Sequence, residues 1–132
     1  KIMLGSLFFN NQEEKFSIYM IGNGISPEEE KALSDFCADH GGELIPVSFH
    51  DSLFENAPVM RYYSQAMYYR LLAAQILPQS LDKVLYLDPD ILIIGKLCPL
   101  YEMDITGGMF GAAMHNGLTG ISGYVTKLRR PD

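Results

Sequence analysis

The chain has 132 residues, 48% of them hydrophobic and 20% charged, which fits one ordinary soluble domain with a real apolar core. Its formal net charge is −6 and its basic residues form no cluster, which argues against nucleic acid or an anionic membrane surface as a partner. The apolar stretches are strand-length and interrupted, so no membrane span is expected. Cys37 and Cys98 form neither a disulfide framework nor a zinc motif, and we therefore expect a reducing, cytoplasmic location. The sequence gives no prediction of the oligomeric state.

The first two predicted elements are a helix and a strand. Residues 2–9 (IMLGSLFF) are apolar and stop at Asn10-Asn11, which indicates the end of a helix. Residues 16–22 (FSIYMIG) form a short run of apolar, β-branched and aromatic residues closed by a glycine. That pattern predicts a strand buried on both faces.

A capped helix and a second strand are predicted next. Ser26 supplies an N-cap oxygen, a proline and three glutamates follow it, and Gly41-Gly42 end the helix. Its apolar residues share one face, as in a surface helix that covers a sheet. Residues 43–49 (ELIPVSF) predict a strand, in which Pro46 removes a ladder donor and therefore indicates an edge or a bulge.

A third helix and two further strands complete the predicted alternation. Residues 64–77 are predicted to form a helix that ends before Pro78, and residues 83–88 (KVLYLD) and 91–95 (ILIIG) are predicted strands. Strands separated by helix-length segments imply parallel βαβ units. The fold class is therefore α/β, with a mostly parallel sheet flanked by helices.

Two carboxylates, Asp88 and Asp90, stand directly after the apolar run 83–87, separated only by Pro89. Ligands of open α/β sheets bind at the carboxyl ends of strands, and two hard oxygen donors held there suit Mg²⁺ or Mn²⁺. A divalent ion would also explain how an acidic protein attracts a phosphate. The alternative is a solvated Asp-Pro-Asp turn without a ligand.

Arg70 is the only charged residue between Ser64 and Leu77, and apolar residues surround it in sequence. The predicted helix is therefore largely buried, and a buried guanidinium needs a carboxylate or a phosphate as its partner. Two interpretations stand at this point, an ion pair between Arg70 and an aspartate, and an arginine that contacts a ligand phosphate. They are not exclusive.

The segment 68–105, YYRLLAAQILPQSLDKVLYLDPDILIIGKLCPLYEMDI, resembles the core signature of family 8 glycosyltransferases. The resemblance implies a GT-A-like nucleotide-sugar-binding fold and retaining transfer of a hexose from a UDP-sugar to a glycan or lipopolysaccharide acceptor. It also implies that Asp88-Pro89-Asp90 holds Mn²⁺ or Mg²⁺ on the donor diphosphate, and that Arg70 binds near the donor sugar and Asp88. The catalytic residue on the reacting face is not identified.

The same resemblance implies that residues 1–132 are roughly the N-terminal half of a catalytic domain, with the first strand before Lys1 and a histidine metal ligand after Asp132. A non-catalytic or truncated nucleotide-sugar-binding module of the same fold is therefore the alternative. A phosphohydrolase of the haloacid dehalogenase type is disfavoured, because its second aspartate is normally followed by Gly-Thr. Here Ile91-Leu92 follow Asp90.

The three histidines predict no metal site. His40 is placed in the last turn of a helix, His50 in a polar loop, and His115 in a loop where some family members carry an aspartate. Residues 115–132 are glycine-rich and form either a flap or a solvated connection.

Overall fold

The computed structural model describes residues 1–22, 24–48, 68–108 and 111. Its elements are the helices and strands α1 (Ile2–Asn10), β1 (Ser17–Ile21), α2 (Pro27–Asp39), β2 (Glu43–Val47), α3 (Tyr69–Ile76) and α4 (Cys98–Tyr101). The chain divides into two compact units, Lys1–Leu97 and Cys98–Asp132. None of the helices in the described ranges is long and apolar enough to cross a membrane.

Helix α2 confirms its predicted start and end. The Ser26 hydroxyl accepts a hydrogen bond from the Glu29 amide at 3.2 Å, and the Glu29 carboxylate accepts one from the Ser26 amide at 3.0 Å. This reciprocal capping box satisfies two amides that a helix N-terminus otherwise leaves unpaired. At the other end Gly41 has φ +79° and the Gly42 amide donates to the Cys37 carbonyl at 2.9 Å, so the chain turns off the helix.

Strands β1 and β2 pair in parallel, and α2 connects them as a crossover helix that packs on β2. The register runs from Ser17 opposite Glu43 to Ile21 opposite Val47, and Pro46 takes its place in it without an extra residue. Of the two alternatives predicted for Pro46, an edge or a bulge, the bulge is therefore absent. Within the described ranges β2 pairs only with β1, so its other side is the edge that a proline tolerates.

The core lies between α1, α2 and β2. Its buried residues are Leu4, Leu7, Phe8, Cys37, Leu44 and Ile93. Phe8 also contacts the rings of Phe16 and His40, at centroid distances of 6.1 and 5.3 Å. Ile93 follows the Asp-Pro-Asp motif by only three residues, so this one core residue is close in sequence to the predicted site.

Segments 83–88 and 91–95 differ from the prediction, because the structure assigns neither of them to a strand. The exposure of side chains still alternates, with Val84 and Tyr86 exposed and Leu85 and Leu87 half-buried. An apolar, β-branched sequence favours this alternation of side chains, but strand formation also needs a hydrogen-bonded neighbouring strand. Among the residues that the structure describes, β1 and β2 form the only sheet.

The second unit begins with the single turn of α4. After it, the Asp104 carboxylate accepts a hydrogen bond from the Thr106 amide at 2.8 Å, and the Gly108 amide donates to the Ile105 carbonyl at 2.9 Å. Several predictions lie outside the described residues: those on His50, Ser64, His115 and the loop 115–132.

Candidate functional site

The Asp-Pro-Asp motif forms a turn at the end of segment 83–88. The Asp88 carbonyl accepts a hydrogen bond from the Ile91 amide at 3.5 Å, with Pro89 and Asp90 as the two central residues. Asp at the first and Pro at the second position are preferred in such turns, because proline pre-sets the backbone angle. The Asp88 side chain is half-buried and the Asp90 side chain is exposed, so both carboxylates reach solvent.

Arg70 reaches Asp88 from helix α3. Its Nη2 lies 3.6 Å from Asp88 Oδ1, which makes an ion pair but is too long for a good hydrogen bond. The predicted pairing of Arg70 with an aspartate is therefore confirmed, across 18 positions in sequence, by two residues of the first unit.

The prediction that Arg70 is buried is wrong. The side chains of Arg70 and Asp88 are 44% and 46% exposed. The reason lies on the helix surface, where Arg70 and Ala74, four residues apart and hence on one face, are both exposed while Ala73 and Ile76 are half-buried. One face of α3 is open, although its composition is mostly apolar.

Tyr86 joins the pair, and the sequence analysis did not identify it. The Arg70 guanidinium carbon lies 5.2 Å from the centroid of the Tyr86 ring, within the range of a cation–π contact. Burial raises the pKa of the Tyr86 phenol, and the charge of Asp88 and a hydrogen bond with it act in the same direction, while Arg70 opposes them. The available signal was spacing, because residues two apart in an alternating segment share a face.

Two side chains of α1 hold the backbone that follows the turn. Ser6 Oγ accepts a hydrogen bond from the Ile93 amide at 2.9 Å, and Asn10 Nδ2 donates to the Ile93 carbonyl at 2.9 Å. Ile93 thus has both backbone groups bound by side chains of one helix, while its own side chain is buried in the core. This arrangement replaces the ladder hydrogen bonds that a strand would have made.

Asn11 also makes hydrogen bonds to the backbone that follows the turn. It is 1% exposed, donates through Nδ2 to the carbonyls of Leu7 at 2.9 Å and Gly95 at 3.3 Å, and accepts from the Leu97 amide at 2.8 Å. The sequence indicates Asn10-Asn11 only as the end of a helix. The structure adds a second role, which is to fix residues 93–97 against α1.

Asp88 and Asp90 are the residues that the sequence predicts as ligands of a divalent metal. No group of three or more His, Cys, Asp or Glu side chains with ligand geometry occurs in the described part of the chain. Two exposed carboxylates nevertheless match what Mg²⁺ or Mn²⁺ requires when water and phosphate oxygens complete the coordination. The donor set of the turn therefore fits a hard cation of this kind.

His40 is the C-cap residue of α2, directly after the last turn in which it was predicted. Its Nδ1 lies 2.8 Å from the Phe36 carbonyl, and its ring stacks on Phe8 and Phe36 at centroid distances of 5.3 and 4.4 Å. These contacts hold the ring at the end of α2.

Comparison with known proteins identifies one protein family and several relatives. Residues 2–128 match the profile of Glycosyl transferase family 8. The chain is 31% identical over 107 residues to Glycosyltransferase GlyF of Streptococcus pneumoniae, an alignment that covers 81% of this chain and 26% of the relative. It is 28% identical to General stress protein A of Bacillus subtilis, over 78% of this chain and 37% of that protein. It is 23% identical to a lipopolysaccharide 1,2-glucosyltransferase of Escherichia coli, over 82% of this chain and 32% of the enzyme.

These matches cover most of this chain, which spans about a quarter to somewhat over a third of the length of the relatives. No solved structure matches with statistical significance. The mixed helix and strand content and the parallel pairing of β1 with β2 are compatible with a GT-A-like α/β fold. Since the family profile extends over nearly the whole sequence, the chain belongs to glycosyl transferase family 8.

Proposed function

We propose that the protein is a retaining glycosyltransferase that moves a hexose from a UDP-sugar to a glycan or lipopolysaccharide acceptor. In this proposal Asp88 and Asp90 hold Mn²⁺ or Mg²⁺, and Arg70 and the Asp88-Pro89-Asp90 turn bind the donor. Residues 1–132 contribute the nucleotide-sugar-binding part of a catalytic domain. The observation that carries the proposal is the Arg70–Asp88 pair at 3.6 Å, which places a guanidinium beside the first carboxylate of the turn.

The charge distribution supports an anionic ligand at this turn. The chain as a whole carries a net charge of −6, so its overall field repels a diphosphate. Arg70 is the local exception, because its planar guanidinium donates to phosphate oxygens in a fixed geometry and is half-exposed. A bound divalent cation would supply the remaining positive charge and stabilise the departing UDP as a Lewis acid.

In this proposal, the residues of this chain orient the metal ligands and the donor. Pro89 restricts the backbone between the two carboxylates, so Asp88 and Asp90 keep one relative placement. Arg70 partly neutralises Asp88 when no cation is bound, and in this proposal it contacts the donor phosphates when one is. Similarity to proteins named as glycosyltransferases supports the assignment of the donor class, and the name of the Escherichia coli relative, a lipopolysaccharide 1,2-glucosyltransferase, supports a lipopolysaccharide-type acceptor.

The test is calorimetric titration of UDP into the full-length protein with and without Mn²⁺. Asp88→Asn and Asp90→Asn each remove one charged ligand and keep the side-chain shape. We expect UDP binding to require Mn²⁺ and to fall at least about tenfold in either variant, in line with the loss of a metal ligand or its direct support. Asp35→Asn is the matched control, because Asp35 is an exposed carboxylate paired with Lys31 on α2.

Binding of UDP that is equally tight without Mn²⁺, or unchanged in both aspartate variants, would contradict the proposed site. Release of UDP from UDP-glucose or UDP-galactose in the presence of lipopolysaccharide acceptors then tests transfer. Mn²⁺-dependent UDP binding without release of UDP for any acceptor would instead support the alternative of a non-catalytic nucleotide-sugar-binding module.

A further inference from the structure

Tyr86 lies near two oppositely charged side chains of the site. The Arg70 guanidinium carbon lies over its ring, 5.2 Å from the centroid. Asp88 follows it by two residues, and side chains two apart in an alternating segment lie on the same side. We propose that Tyr86 is a positioning residue of the donor site, which holds Arg70 through its ring and orients the Asp88 carboxylate through its hydroxyl. This inference rests on the proposed function and assigns a role to a residue outside the Asp-Pro-Asp motif.

The Arg70–Asp88 ion pair alone holds the two side chains in place only weakly. Both side chains are nearly half-exposed, and the charged atoms approach only to 3.6 Å. Exposed ion pairs contribute little, because water screens them and a long side chain loses rotamer freedom in making them. The flat face of Tyr86 adds a second, independent restraint on the guanidinium.

The ring contact differs from the ion pair in how it responds to a bound cation. When a divalent ion takes up the charge of Asp88, the attraction between Asp88 and Arg70 weakens. The Tyr86 ring is neutral, so its attraction for the guanidinium does not depend on the charge of Asp88. Tyr86 therefore keeps Arg70 beside the turn in both states, where it can reach an anionic ligand.

In the proposal the hydroxyl acts on the other partner. Tyr86 is part-exposed on the side of the segment that carries Asp88, and a hydrogen bond from its hydroxyl would leave further lone pairs of the carboxylate open. Hydrogen bonds to a ligating carboxylate fix its orientation and are as much a part of a metal site as the ligand itself. The two functions of Tyr86 are thus separable by substitution.

Two variants separate them. Tyr86→Phe removes the hydroxyl and keeps the ring, whereas Tyr86→Leu removes both. Tyr19→Phe, which deletes a hydroxyl from β1, is the matched control. Each protein, in its full-length form, is titrated with Mn²⁺ alone and then with UDP at saturating Mn²⁺, and thermal unfolding is followed by circular dichroism to verify folding. Because Tyr86 is 46% exposed, we expect all variants to fold.

We expect Tyr86→Phe to weaken Mn²⁺ binding about tenfold, the lower end of the range for lost support of a ligand. At saturating Mn²⁺ its affinity for UDP should stay close to that of the wild type, since the ring still holds Arg70. Tyr86→Leu should lose the same Mn²⁺ affinity and in addition bind UDP about two- to fivefold more weakly, the size of a cation–π contact at an exposed site. A purely structural role would lower the unfolding temperature without separating the two titrations.

Three outcomes would overturn the inference. If both Tyr86 variants match the wild type in both titrations, Tyr86 positions neither partner, although the proposed function still stands. If Tyr86→Phe and Tyr86→Leu lose UDP affinity equally, the ring does not hold Arg70. If the wild-type protein itself binds no UDP in the presence of Mn²⁺, the proposed function fails and the inference fails with it.

Discussion

Replacing Asn11 by alanine should destabilise the first unit more than any other polar substitution near the end of α1. The side chain is 1% exposed and makes three hydrogen bonds, of which those to Gly95 at 3.3 Å and from Leu97 at 2.8 Å connect segments 84 and 86 residues apart. Net hydrogen bonds contribute about 1 kcal/mol each, and buried partners left unpaired cost about 1–3 kcal/mol more. We therefore expect Asn11→Ala to lower the free energy of unfolding by about 2–4 kcal/mol.

Two neighbouring substitutions calibrate this value. Asn10 is half-buried, and its amide is shared between the carbonyls of Ser6 at 3.0 Å and Ile93 at 2.9 Å, so Asn10→Ala should cost about 1 kcal/mol. Gln12 is exposed and makes one long bond of 3.4 Å to Phe9, so Gln12→Ala should change stability by less than about 0.5 kcal/mol. The predicted order of destabilisation is Asn11, then Asn10, then Gln12.

The assay is urea unfolding followed by far-UV circular dichroism and by the fluorescence of the tyrosines, since the chain contains eight tyrosines and no tryptophan. The dependence on urea should stay constant, so that a shift of the midpoint reports stability alone. Asn11→Asp adds a sharper test, because it keeps the shape and the acceptor for Leu97 but sets an oxygen against the carbonyls of Leu7 and Gly95. If Asn11→Asp were as stable as the wild type, shape and not hydrogen bonding would explain the role of Asn11.

Three further predictions concern the packing around α2. A Cβ on Gly42 would lie 2.7 Å from the ring of the buried Phe8, so Gly42→Ala should destabilise by about 1–3 kcal/mol in urea unfolding, and an unchanged midpoint would contradict that contact. Ser26→Ala removes the capping box and should cost about 1 kcal/mol in the same measurement. Burial raises the pKa of the Cys37 thiol above its ordinary value, so the stability contributed by the neutral thiol is full below the ordinary pKa and is lost as the pH rises through the folded pKa. At about pH 8 a disulfide reagent should therefore react with the half-buried Cys98 faster than with Cys37, and denaturation should remove the difference.

The elements that could be predicted are those fixed by local signals. Ser26 and Gly41 bound α2 because a cap oxygen and a left-handed backbone act within one turn of the helix. The end of α1 at Asn10 and both paired strands follow from runs and turn residues of the same local kind. Such local signals therefore predict the elements from α1 to β2.

Segment 83–88 could not be assigned correctly from its sequence, because strand formation depends on a partner as well as on composition. Its apolar residues predicted a buried strand, whereas Val84 and Tyr86 are 46% exposed. Arg70 was misplaced for a related reason. Counting apolar residues around a helix gives its amphipathicity but not which face another element covers.

Within the candidate site, chemistry predicted the partners but not their arrangement. A guanidinium and a nearby carboxylate attract each other whatever the fold, so pairing Arg70 with an aspartate was a sound expectation. Asn11 gave no comparable signal, since an amide can bond to almost any backbone group. Nothing in the sequence indicates that it binds Gly95, 84 positions away.

The construction of the turn favours a ligand-binding role over a purely structural one. Leu87 packs against the core before the turn, and Ile93 is buried and clamped after it, so the backbone of Asp88-Pro89-Asp90 is held on both sides. The charged side chains are left open in between, and an ion pair as exposed as Arg70–Asp88 adds only about 0–1 kcal/mol to stability. Stability therefore does not account for placing Arg70 beside Asp88 here, which agrees with the proposed binding role. A backbone held on both sides, with open charged groups between, would lose little entropy on binding the proposed cation and diphosphate, as electrostatic preorganisation requires.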